Sequence, residues 1–192
     1  AVKVSVQART LQMAAEQAFG EGQHERLDRL TVSMKHPDGV AAMLSGGSEI
    51  TAHFTSPPYQ YQELQDPKIR RVLSSYEVLG GPATFNCVWA RTGFREQNPK
   101  LFRAVVEALK EAMAMINADK QAAARVYLDE AGSKLDPEFI AKIVTDPDIV
   151  FTVAPQNTMK YAEFMHKVGA LKNRPSSWKD YFFPEIHGVS GS

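Results

Sequence analysis

Hydroxyl, amide and charged side chains gather at three points that each precede a run with helical apolar spacing: Ser5, Gln7, Arg9 and Thr10 before the first, His36 and Asp38 before the second, and Thr55, Ser56 and Tyr59 before the third. At a helix start such groups cap bare backbone N–H donors. Where several starts share one edge of a sheet, they can also converge on a small ligand. Arg9 is the only cation in the set, and it suits either an anionic ligand group or a surface salt bridge. Nothing here has the pattern of a catalyst. His36, His53 and His166 lack metal-ligand spacing, and no HExxH motif or cysteine pair accompanies them, so structural or solvent-facing roles are expected. The chain has no G-x-S-x-G elbow, phosphate loop or G-x-G-x-x-G. The expectation is binding without catalysis, with no cofactor and no metal.

The segments that must position these groups alternate in period. Val2, Val4 and Val6 alternate with polar residues as in a strand, and Leu11, Ala14, Ala15, Ala18 and Phe19 then fall on one helix face, with Thr10 as cap. Leu30–Met34 reads as a second strand and Pro37 opens a short helix. Ile50–Phe54 reads as a third strand, running into a helix capped by Ser56 with Pro57 at its first position. Ile69–Tyr76 and Thr84–Ala90 complete the strand-like runs, separated by a crossover at 79–86. Strand and helix in alternation predict an α/β lobe over 1–81. From Pro82 to the end, residues 82–192, the chain is mainly helical. Asn98-Pro99 starts a long helix striped by Phe102, Val105, Val106, Leu109, Ala112, Met113 and Ile116, and Asp119, Asp136-Pro137, Pro155 and Ser176 open four more.

Composition narrows the partners. The 192 residues carry 22 basic and 22 acidic side chains, so no basic footprint for nucleic acid or anionic membrane is present. Cys87 is the only cysteine, which excludes an internal disulfide. No apolar run reaches the ~20 residues that span a bilayer, so no direct membrane insertion is expected.

Four stretches resemble one family: Val4-Ser-Val-Gln-Ala-Arg-Thr-Leu-Gln-Met13, Leu44-Ser-Gly-Gly-Ser-Glu-Ile-Thr-Ala-His-Phe54, Leu79-Gly-Gly-Pro82 and Ser177-Trp-Lys-Asp-Tyr-Phe-Phe-Pro-Glu-Ile-His187. They are similar to the periplasmic solute-binding proteins of ABC importers of the nitrate/sulfonate/taurine (NitT/TauT) group. The resemblance implies a type II periplasmic binding protein fold, with most of domain two in 1–81 and the returning helices of domain one in 82–192. It also implies that the first half of domain one is absent from this chain, so that the helices after Asn98 expose apolar surface. By the same resemblance, the chain would capture a small, possibly anionic organic solute by hinged lobe closure in the periplasm and deliver it to an inner-membrane permease. The ligand contacts it implies are Ser5, Gln7, Arg9 and Thr10 in one loop, Thr55, Ser56 and Tyr59 in another, and Asn86 near the hinge. Many sulfonate-type relatives carry Trp-Glu-Pro where this chain has Thr55-Ser56-Pro57, which removes an aromatic wall and a carboxylate. Thiamine-pyrimidine synthases share the implied fold but use a cysteine-rich motif, against which this chain sets only Cys87. A sensory binding protein is a further alternative.

Overall fold

The computed structural model describes residues 4–192, which divide into two compact units, one ending at Gly81 and the other running from Pro82 to Ser192. The expected start of the first strand, Val2 and Lys3, lies outside the described residues. In the first unit α1 spans Val6–Phe19, a 3-10 segment follows at His24–Leu30, and α2 (His36–Ser45), α3 (Tyr59–Glu63) and α4 (Ser75–Leu79) complete it. In the second, α5 (Thr92–Gln97), α6 (Pro99–Ala118), α7 (Lys120–Ala131), α8 (Pro137–Thr145) and α9 (Thr158–Lys167) are followed by short 3-10 turns at Trp178–Asp180 and Pro184–Ile186.

The α/β expectation is overturned. Among the described residues there is no strand and no sheet, so this chain does not have the type II periplasmic binding architecture that the resemblance implied. The periodicity misled for a physical reason: alternation reports an extended backbone with two unlike faces, but a strand exists only when a neighbour completes its hydrogen-bond ladder. Segments 31–35, 50–55 and 84–90 carry no regular structure; Val32, Val88 and Trp89 lie open, at 65%, 73% and 85% exposure, while Ile50 and Phe54 are half-buried. Ile69–Tyr76 is coil that turns into α4 at Ser75, where Ser74 and Glu77 form a capping box.

Helix starts also moved. Ser5, not Thr10, caps α1 by accepting from the Ala8 N–H at 3.2 Å. Ser177 rather than Ser176 caps the Trp178 turn, and α3 begins at Tyr59, two residues beyond Pro57. The starts at Asn98-Pro99, Asp119 and Asp136-Pro137 fall where the caps predicted.

Within the first unit α1 packs on α4, where the Gln17 amide donates to the Val78 carbonyl at 2.9 Å; Met13 and Ala15 of α1 and Val78 and Leu79 of α4 are buried. Removing Leu79 from water contributes about 2 kcal/mol. On its other side α1 holds the 3-10 segment, with Gln12 Nε2 donating to Asp28 at 2.8 Å and Arg26 lying 4.3 Å over the Phe19 ring. In the second unit α7 and α8 pack together, with Ala124 of α7 and Ile140 and Ile143 of α8 buried. Phe102 of α6 meets Phe183 edge-on at 5.2 Å, and Arg95 forks onto the Glu185 carboxylate at 2.8 and 3.1 Å. The α6 stripe forms a helix as read, yet Val105 on it is 43% exposed and Phe102 is the one buried residue of α6.

Candidate functional site

The first unit contains a chain of polar side chains that links α2, the extended segment before α3, and α3 itself. His36 is the first residue of α2, followed by Pro37, whose fixed φ suits a helix start. Residues 50–55 then run extended beside α2 and bring in His53 and Thr55. The Tyr59 N–H closes a turn onto the Ser56 carbonyl at 3.0 Å and begins α3, a single turn that ends at Glu63. Tyr59 and Glu63 are four apart and therefore share one face of that turn. Tyr59 stacks on His36, with centroids 5.4 Å apart and planes 24° apart, while Glu63 reaches His53.

The bonds run in series. His53 Nδ1 donates to Glu63 Oε1 at 2.6 Å, His53 Nε2 lies 3.3 Å from His36 Nδ1, and Thr55 Oγ1 lies 2.8 Å from that same Nδ1. Glu63 is 4% exposed, so its carboxylate depends on His53 for the hydrogen bond that water would otherwise supply. Burial holds His36 below the ordinary imidazole value; the neighbouring His53 adds to this and Glu63 partly opposes it, so His36 is neutral at pH 7. Gly39, buried in α2, is what lets His53 approach: a Cβ there would stand 2.6 Å from His53 Cε1 and 2.7 Å from its Nε2.

The expected contact residues divide. Thr55, Ser56 and Tyr59 sit together, half-buried, at this chain of side chains. Ser5, Gln7, Arg9 and Thr10 belong to the start of α1 and bond there: Ser5 accepts from Ala8, Arg9 Nη1 donates to Gln12 Oε1 at 2.8 Å, and Gln7 is buried. Thr10 is fully enclosed and donates its hydroxyl to the Val6 carbonyl at 2.9 Å. Asn86 is exposed in the extended segment of the second unit. A groove of about 490 Å³ between α7 and α8, lined by Gln121, Arg125, Glu138 and Lys142 among others, contains none of them.

His36, His53 and Glu63 were not expected to act together. Their separations of 17 and 10 residues match no local motif; the one available hint is Gly39 inside a helical run, where glycine is disfavoured unless another group comes close. Among the described residues no group of three or more His, Cys, Asp or Glu side chains could hold a metal ion. Cys87 is exposed and its thiol is pushed up by burial of the sulfur's surroundings, which disfavours the thiolate. The arrangement thus sets the His36 imidazole, the Thr55 hydroxyl and the Tyr59 ring side by side, with the His53–Glu63 pair behind His36. Comparison with protein-family models, curated proteins and solved structures gives no match to this chain.

Proposed function

We propose that this chain captures a small organic solute at the junction of α2 and α3, through Thr55, Tyr59 and His36. The observation that supports this is the buried Glu63–His53 pair behind His36 and Thr55: a buried carboxylate and imidazole cost desolvation, and here they fix the orientation of two more accessible polar groups. The biological setting belongs to the same proposal and is supported by the sequence resemblance to NitT/TauT-type solute-binding proteins: capture in the periplasm and delivery to an ABC permease. No type II fold or lobe closure is part of it. No helix of the described residues is long and apolar enough to cross a membrane.

The test is a thermal-shift screen of the whole chain against nitrate, sulfonates, carboxylates, amides and heterocycles, repeated with Thr55→Ala. Solute binding to the folded form alone stabilises it by about 2.7 kcal/mol at a hundredfold excess over Kd. The proposal expects a hit whose shift falls in Thr55→Ala. A hit unaffected by Thr55→Ala, or no hit at all, contradicts it.

A further inference from the structure

We propose that residues 84–90 are an open strand edge through which two copies of this chain pair, antiparallel and two-fold about Cys87. Residues 82–91 contain neither turn nor bend, so the segment runs extended. It is held at both ends. At one, the Thr84 N–H donates to the Gln156 carbonyl at 2.9 Å, the Gln156 N–H donates to Thr84 Oγ1 at 2.8 Å, and Asn157 Nδ2 donates to the Pro82 carbonyl at 2.7 Å. At the other, the Arg91 carbonyl accepts from the Phe94 and Arg95 N–H groups and starts α5. A segment fixed in this way loses little freedom when it pairs.

The anchors also decide which edge is free. In an extended chain the N–H and C=O of one residue point to one side and those of the next residue to the other. Pro82 and Thr84 point toward segment 155–157, so Phe85, Cys87 and Trp89 point the opposite way. From Phe85 to Ala90 no backbone N–H or C=O makes a hydrogen bond among the described residues. The side chains are equally uncovered: Phe85 is 47% exposed, Val88 and Trp89 are more open still, and Asn86 and Cys87 are exposed as well. Thr84-Phe-Asn-Cys-Val-Trp-Ala90 has no charge, no proline and no glycine, so it lacks the devices that keep an edge from pairing.

Register points to a second copy as the occupant. With Cys87 of one copy opposite Cys87 of the other, Phe85 stands opposite the second copy's Trp89 and Trp89 opposite its Phe85. All three residues of the free edge then exchange backbone bonds, and each aromatic ring meets another across the strands. Centring the pair on Asn86 or Val88 instead sets Phe85 opposite Cys87 or Arg91 and separates the rings. In the Cys87-centred register no like charges oppose, and the two-fold contact is closed, because the other edge of each copy begins on segment 155–157. A two-stranded ribbon is marginal by itself, so the dimer is weak and forms in concentrated solution.

Sedimentation equilibrium of the whole chain is the test. Wild type is expected to pass from monomer to dimer as concentration rises; a chain still monomeric at about 1 mM, or one that grows past the dimer, overturns the proposal. Self-pairing about residue 87 is then read from charge. Cys87→Lys opposes two cations across the two-fold and Cys87→Glu two anions, so each variant is expected to self-associate at least about fivefold more weakly than wild type. Mixed in equal amounts, the two variants are expected to pair at least about tenfold more tightly than either does with itself. A dimer indifferent to both substitutions belongs to another surface, and variants that weaken alike without rescuing each other place residue 87 off the two-fold; either result overturns the proposal. Circular dichroism of the dilute variants is expected to match wild type, since Cys87 is exposed. Should either variant not fold, the wild-type chain decides. Facing cysteines with Cα atoms about 5.5 Å apart suit a disulfide, so diamide at alkaline pH should convert the dimer to a cross-linked one, and a dimer that resists cross-linking overturns the register.

Discussion

Replacing Gly39 by alanine is the sharpest available perturbation of the α2–α3 junction, because two opposite effects meet at one methyl group. In a helix interior alanine is better than glycine by roughly 0.5–1 kcal/mol, so the change should stabilise α2 if nothing were near. Here the new Cβ would lie 2.6, 2.7 and 3.0 Å from three atoms of the His53 ring. Ordinary contact begins near 3.4 Å, so the ring must retreat by several tenths of an ångström, and it is held on one side by a 2.6 Å bond to Glu63 and faces His36 at 3.3 Å on the other. Overpacking of this kind costs about 1–3 kcal/mol, and a weakened bond to a carboxylate that is 4% exposed adds about 1 kcal/mol or more. The net expectation is a loss of about 2 kcal/mol. Urea unfolding of the whole chain, followed by circular dichroism, measures it. Gly47→Ala is the control: a Cβ at Gly47 meets nothing within 4 Å, so that variant should match or slightly exceed wild-type stability. If Gly39→Ala is as stable as Gly47→Ala, His53 is not packed against α2 as described, and the reasoning about the junction fails.

Other outcomes follow from the same contacts. Glu63→Ala leaves the nearly buried His53 without its acceptor and should cost about 1–3 kcal/mol in the same unfolding experiment, clearly more than Glu63→Gln. The His36 value is lowered on folding, so in acid the unfolded chain binds the proton first; stability attributable to His36 is complete above the ordinary imidazole value of 6.5 and declines as pH falls from there toward the lowered folded value. His36→Asn should flatten that decline, and an unchanged pH–stability curve contradicts the assignment. Trp89 is 85% exposed, so Trp89→Ser should move stability by no more than about 0.5 kcal/mol while reducing binding of an apolar dye such as ANS. Gly191→Ala would place a Cβ 2.7 Å from the Trp178 ring, and a fall of about 1–3 kcal/mol in second-unit stability is expected from hydrogen exchange around Trp178.

The sequence was informative where structure is local. Caps at Asn98, Asp119 and Asp136 and the spacing of the α6 stripe located helices because a helix is held by bonds between near neighbours. It misled where structure is non-local: Ile50–Phe54 has a strand's alternation, yet nothing in its own residues says whether another segment pairs with it, and none does among the described residues. The same division governs the site. Thr55, Ser56 and Tyr59 were grouped from a hydroxyl-rich turn ahead of a helix, and the structure places them together there, half-buried. His53 and Glu63 were not, because their pairing depends on how segment 50–55 turns into α3. Burial was harder still. Val105 lies on a face that periodicity marks as apolar and is 43% exposed, because a stripe shows which side of a helix prefers cover and not whether cover is present.

The central claim, that a solute is captured at the α2–α3 junction, is tested most directly by mapping a bound solute onto the chain by NMR, with the best hit of the thermal-shift screen as probe. The account predicts that the largest shift changes fall on His36, Thr55 and Tyr59, with His53 following through its contact with His36. Changes centred elsewhere, on Gln121, Arg125 and Lys142 in the α7–α8 groove or on Ser5 and Arg9 at the start of α1, would contradict it.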